Sequence, residues 1–556
     1  MRLCNIKRYP MMEGMIMRLF PRLLLLAAVQ VALTVVPAWA DEQSGDLKPV
    51  GEKLGTVRFP TSCTPAAQRQ FERAVALLHS FWFSESNKAF AAIAQTDPSC
   101  GMAHWGSAVT LFGNPFTWPL TGKALTDGWA AVERAKAAGA KTAREQDYIA
   151  AVEAFYKDAD KIDHRTRALA YERAMEQVAK RYPDDTEASI FYALALNTTA
   201  LASDKTYANQ LKAAAILEEV FKDQPNHPGA AHYLVHSYDY PPIAEKGLPA
   251  ARRYADIAPS APHALHMPSH IFTRRGFWQD SIESNLKSKN STDNHFDRLH
   301  ALDYLVYAYL QTGQDDKASA VRDEVEALKK VNSESFPTAF ALAAIPARFA
   351  LERARWSEAA KLALHPSELD YPWASFPHAE AVLTFARAIG AARSGDVTAA
   401  RSDIATLKTL KENLVQAKNN YWSEQVEIQI QAASALAAFA EGKKEEGLAL
   451  MRTAANMEDA TEKHPVVPGP LIPARELLGD MLLELQLPAQ ALKEFEASAQ
   501  REPNRLRGYY GAARAAEMSN DKHKAAAYYA KLAELAKGAD SDRPEIRQAK
   551  AYLAKN

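Results

Sequence analysis

Beyond residue 40 the chain has only two cysteines, Cys63 and Cys100, and no Cys-x-x-Cys pair. Nor does it contain a Gly-rich phosphate loop, a His-Glu-x-x-His or a Gly-x-Ser-x-Gly, so no familiar catalytic signature assigns a reaction. Charge of one sign is lacking too. The formal net charge is −1, and the part after residue 40 carries about −5, which gives nucleic acid nothing to bind to. Period-2 runs of Val, Ile and Thr bounded by turns are hard to find, which argues against a sheet. No long polar or low-complexity linker divides the 556 residues, although a chain of this length is too long for one conventional core. A solenoid reconciles length with continuity.

One apolar run stands out, Leu23 to Val36, preceded by Arg18 and Arg22 and followed by Ala38-Trp39-Ala40 and the acidic Asp41 and Glu42. This is the layout of a secretory signal cut after Ala40. The run approaches spanning length, so an uncleaved anchor is the alternative; the Ala-x-Ala site without a basic stop-transfer flank favours cleavage. Met17 opens a segment with the whole layout, leaving Met1 and Met17 as rival starts. A periplasmic or secreted protein without a membrane span is expected. In that oxidising setting Cys63 and Cys100, 37 residues apart and each just before a predicted helix, form a candidate disulfide. Two unrelated buried thiols are the alternative.

What is present is helix. Ala-rich segments with apolar residues at helical spacing fill the chain, and short hinges recur between paired helices: Thr312-Gly313-Gln314, Ser394-Gly395-Asp396, Glu441-Gly442-Lys443 and Ser519-Asn520-Asp521. Between Arg475 and Pro503, Leu478-Gly479, Ala491, Phe495, Ser498 and Pro503 resemble the 34-residue tetratricopeptide pattern, as do Phe90, Pro98 and Trp105-Gly106 near the start. The expected fold is an all-α, right-handed α-solenoid of helix-turn-helix repeats. Its divisions are a signal peptide (1–40), an extended leader (41–60), N-terminal repeats with a His-rich groove (61–330), degenerate helical repeats (331–464), a Pro-rich break (465–473) and C-terminal repeats (474–556).

Eight of the fifteen histidines lie between His227 and His300. Pro225 and Pro259, read as closing prolines of two repeats, are 34 apart; His232, His266 and His300 recur on that period, and so do His236, His270 and Tyr304. The tetratricopeptide resemblance implies that these are the groove-facing positions of each first helix. A His-x-x-x-His pair puts two imidazoles on one helix face, which suits a metal ion, and two such pairs on neighbouring helices are expected to share one. Asp239 and Asp303, each three residues after a ladder histidine, are candidate ligands, imidazole-orienting groups or bases. His263, Tyr238, Tyr304 and Arg274 are candidate groove or ligand contacts, Arg274 for a carboxylate or phosphate. Met267 is expected to pack in the core, and Pro268 to kink the helix between His266 and His270. Imidazole donors in an envelope setting lean towards copper or zinc.

The stretch from Ala264 to Trp278, with Ala231-His-Tyr-Leu-Val-His236, resembles a group of exported bacterial tetratricopeptide proteins, which implies fold and location and leaves the chemistry open. Three functions follow. The groove binds a protein, peptide or small ligand beside a histidine-held metal; or the solenoid frames a metal-dependent oxidoreductase or hydrolase; or it is an interaction scaffold without metal, its histidines copied with the repeat.

Overall fold

The structure, a computed structural model, describes residues 51–120 and 122–555. The expected signal segment, the cut after Ala40 and the leader up to residue 50 lie outside the described residues. Among the described residues there is no strand, and successive helices joined by short turns pack on one another along the whole length. The protein is an all-α solenoid of tetratricopeptide-like helix pairs.

The small residues of the repeat pattern have a steric reason. A Cβ on Gly106 would sit 2.3 Å from the Phe90 ring, and one on Gly479 would sit 2.7 Å from the Phe495 ring. Each glycine lets the following or preceding helix seat an aromatic ring against bare backbone, which draws the two neighbouring helices together. The remaining leader residues also pack. Phe59 is fully buried against Phe71, Trp105 and Tyr148, while Thr56 N donates to Asn226 O at 3.0 Å and Lys53 N to Ser260 Oγ at 2.8 Å.

Cys63 and Cys100 are joined in a disulfide, Cα to Cα 4.9 Å, which ties the start of helix Pro65–His79 to the start of helix Gly101–Thr110. Closing a loop over a separation of 37 residues restricts the unfolded chain by about 3–4 kcal/mol. Reducing it is therefore expected to lower the unfolding free energy measured in urea by that amount. Coinciding unfolding curves with and without reductant would contradict this.

Two main cores meet at residues 273–277. One runs from Leu54 to Phe272, the other from Trp278 onward, and the histidine-bearing helices flank the junction. The Pro-rich stretch 465–473 forms a strap against helix Phe336–Glu352: Arg348 donates to Pro470 O at 2.7 Å and to Gly469 O at 2.6 Å. The C-terminal helices return to the middle of the chain, where Trp278 Nε1 donates to Asn504 O at 2.7 Å and Arg543 Nε donates to Asp315 Oδ1 at 2.9 Å. Residues 52–556 form one compact unit.

Candidate metal centre

Helix Pro228–Tyr238 starts from a side-chain cap by His227 with Pro228 in its first turn, and presents His232 and His236 one turn apart. The next rung is split as Pro268 demands, into Pro262–His266 and Pro268–Arg274, with buried Met267 between them in the core. Helix His295–Gln311 supplies His300 and Tyr304. The rungs were expected to line an open groove, yet His232, His236, His263, His266, His270 and His300 are only 0–6% exposed. Rings from the first repeats cover them: Phe81 lies 4.4 Å from His232 and 5.4 Å from His263, and Phe116 stacks on His236 at 4.0 Å, centroid to centroid.

Hydrogen bonding sets the tautomers. Asn285 Nδ2 donates to Ser281 O at 2.7 Å, so its Oδ1 is the acceptor that faces His266 Nδ1 at 2.6 Å. His270 Nδ1 lies 3.1 Å from Asp239 Oδ2. Both rings therefore carry their proton on Nδ1. Burial disfavours the imidazolium, pulling His266 down to about 4 and His270 well below its ordinary value, so each ring is neutral and Nε2 is a bare lone pair. These two Nε2 atoms face each other at 3.0 Å. Two lone pairs at that distance repel unless a cation lies between them. His300 completes a trio whose ligand atoms all lie within 4.8 Å of one another.

The first rung forms a separate trio. His232 Nδ1 donates to the backbone carbonyl of His79 at 2.6 Å, leaving its Nε2 3.2 Å from His236 Nε2. His263 joins them, again within 4.8 Å, and neither of its ring nitrogens has a hydrogen-bond partner among the described residues. Each His-x-x-x-His pair thus has a third imidazole of its own nearby.

The two carboxylates take different parts. Asp239 is an orienting group: besides His270 it accepts from Arg274 Nε at 2.9 Å and from Lys463 Nζ at 2.7 Å, which leaves it no part in a ligand shell. Arg274, proposed to hold a ligand's carboxylate, is buried on Asp239 and lies 3.5 Å from Glu502. Asp303 is removed from the ladder by Arg348, whose Nε donates to its Oδ1 at 3.1 Å; it anchors the residue that holds the strap at 469–470. Tyr238 is two residues past His236, hence on the other side of the helix, and donates to Glu218 at 2.6 Å. Tyr304 does lie at the centre, its hydroxyl 3.4 Å from His270 Nε2.

A third group, His79, Glu187 and His227, is equally buried but fully committed. Glu187 accepts from both imidazoles at 2.8 Å, His79 Nδ1 meets Tyr233 Oη at 3.0 Å, and His227 Nδ1 accepts from Ala230 N at 3.3 Å. Burial by itself would raise the Glu187 carboxyl; the two histidines bring it down to about 2. With every polar atom paired, this group is a structural brace that fixes the carbonyl on which His232 is oriented. Lys463 and Asn285, essential to the tautomers, went unrecognised because their partners are 224 and 19 residues away and neither position shows a motif.

Beside Lys463 and Arg274 opens a cleft between the strap and the helices that carry Phe340, Phe385 and Trp422. Within its wall Trp422 is sandwiched between His378 and His464 at 5.1 and 5.4 Å. Burial pulls both imidazoles to about 3. Because these folded values lie below the unfolded one near 6.5, the unfolded chain takes up protons first, and the stability present above 6.5 is lost as the pH falls towards 3. His378→Phe, which removes a ring whose Nε2 is unpartnered, is expected to move the acid-unfolding midpoint downwards by several tenths of a pH unit. An unchanged midpoint would count against this source of acid sensitivity.

No protein-family model matches the chain. No curated protein is significantly similar to it. Among solved structures, Cut9 in the Cut9–Hcn1 hetero-tetramer of the APC/C is similar at 10% identity over 88% of this chain and 95% of that one, with a TM-score of 0.29. Human IFIT1, solved as a dimer with m7Gppp-AAAA, is similar at 12% identity over 78% of this chain and 90% of that one, with a TM-score of 0.35. No site residue or ligand is carried over from either.

Proposed function

We propose that this protein is a transition-metal-binding solenoid of the bacterial cell envelope, periplasmic or secreted, with its metal held in the buried histidine centre. The observation that carries the reading is the 3.0 Å approach of the His266 and His270 Nε2 lone pairs, each ring pinned through Nδ1 by a separate polar partner. This is how ligating imidazoles are oriented, with the outer nitrogen donating to a carboxylate or amide so that the inner one points at the ion. Copper and zinc suit the donors. All are neutral and Asp239 is shared with two cations, so a monovalent copper ion would leave less uncompensated charge buried than a divalent zinc ion.

Three imidazoles leave an ion a position for a non-protein ligand, the number found in catalytic rather than structural zinc sites. That count favours, as a second reading, a metal-dependent reaction at the centre. The strap at 465–473 walls the cleft beside Lys463, which suits a small ligand better than an extended peptide. The cleft next to Lys463 is where such a ligand fits best.

Elemental analysis of tag-free protein isolated from the periplasm tests the reading. Copper or zinc at one equivalent or more per chain is expected, with marked loss in the triple variant H232A/H266A/H270A. Substoichiometric metal that the substitutions leave unchanged would overturn it.

A further inference from the structure

The geometry points to two metal ions in this centre, the second held by His232, His236 and His263; the inference rests on the metal reading above. A single ion of this kind binds nitrogen at about 2.0–2.1 Å and takes about four donors, so all its ligands must lie within about 4 Å of one another. Six imidazoles do not meet that condition together. They come near it, with ligand atoms within 4.8 Å of one another, as two trios with no residue in common.

The first trio has its own signs of a missing cation. His263 is buried with both ring nitrogens unpartnered among the described residues, a state that ordinarily destabilises a protein. His232 has spent its Nδ1 proton on the His79 carbonyl and turns a bare Nε2 towards His236. Around them stand Phe81, Phe116 and Tyr254, whose rings pack on the imidazoles at 4.0 to 5.4 Å. The trios adjoin: His236 and His270 lie 5.7 Å apart, His263 and His266 5.9 Å, centroid to centroid. Duplicating a repeat that bears His-x-x-x-His supplies two pairs; what the fold adds is a third ligand for each, His263 from the turn before the second rung and His300 from the third.

The stoichiometry of metal uptake separates the cases. Metal-free protein is titrated with zinc, and anaerobically with copper(I), against a chromophoric chelator. Two equivalents per wild-type chain of at least one metal are expected, one in His263→Phe, one in His300→Phe and none in the double variant. Phenylalanine keeps the ring volume without a donor, and an unchanged circular dichroism spectrum verifies the fold. One equivalent in the wild type, or loss of all metal in either single variant, overturns the two-ion assignment and leaves the metal reading standing. No uptake of either metal overturns both.

Discussion

Asp239→Asn is expected to cost the protein about 3–5 kcal/mol and to weaken metal binding about 10- to 100-fold. The carboxylate is buried with Arg274 and Lys463, at 2.9 and 2.7 Å, and removing its charge leaves two cations in a low-dielectric interior. Burial already pulls Lys463 down to about 8 against the opposing pull of Asp239, so in the variant it sheds its proton more readily, which places the loss towards the lower end. The effect on metal has a different cause. Asp239 Oδ2 holds His270 in the tautomer that turns Nε2 inwards, and weakening an orienting partner of that kind reduces affinity by such factors. Urea unfolding of metal-free protein and competition against a chelator separate the two effects. A stable variant with unaltered metal affinity would show that Asp239 neither compensates nor orients.

Arg505→Met is expected to destabilise by a similar 3–5 kcal/mol without touching the metal centre. Arg505 reaches Glu476 Oε1 at 2.7 Å, Glu352 Oε1 at 2.6 Å and Tyr307 Oη at 2.6 Å, with all three charged groups essentially without solvent contact. Methionine fills part of the volume but leaves two buried carboxylates facing each other, the costly outcome of breaking a buried ion network. Since Arg505 begins the helix that returns to the middle of the chain, the C-terminal repeats are expected to become protease-sensitive first. Neutralising the partners as well, in R505M/E352Q/E476Q, is expected to recover most of the loss, because the penalty comes from unpaired charge. A triple variant no more stable than R505M would place the loss in packing instead.

Much of this was legible beforehand because it is local or periodic. Helical spacing, hinges such as Ser394-Gly395-Asp396, and the pairing of Gly479 with Phe495 are short-range features that a repeat multiplies, and they lead directly to the solenoid. The 34-residue step likewise selects His232, His266 and His300 before any fold is known. The rest depends on distant contacts. Asp303 belongs to Arg348, 45 residues on, and Asp239 to Lys463, 224 residues on, pairings that no local pattern announces. Burial of the ladder depends on Phe81 and Phe116, which lie more than a hundred residues before the histidines they cover. The division into two trios depends on His263, which lies off the 34-residue ladder and reaches the centre only because Pro262 starts a new helical segment there.

The central claim is that the ring nitrogens of the buried histidines hold a metal ion. Anomalous diffraction at the absorption edge of the metal, from crystals of the loaded protein, tests it most directly. The expected result is a peak in bonding contact with Nε2 of His266 and Nε2 of His270, with His300 completing the trio. Anomalous peaks confined to surface residues, with the 266–270 pair joined by nothing but a hydrogen bond, would contradict it.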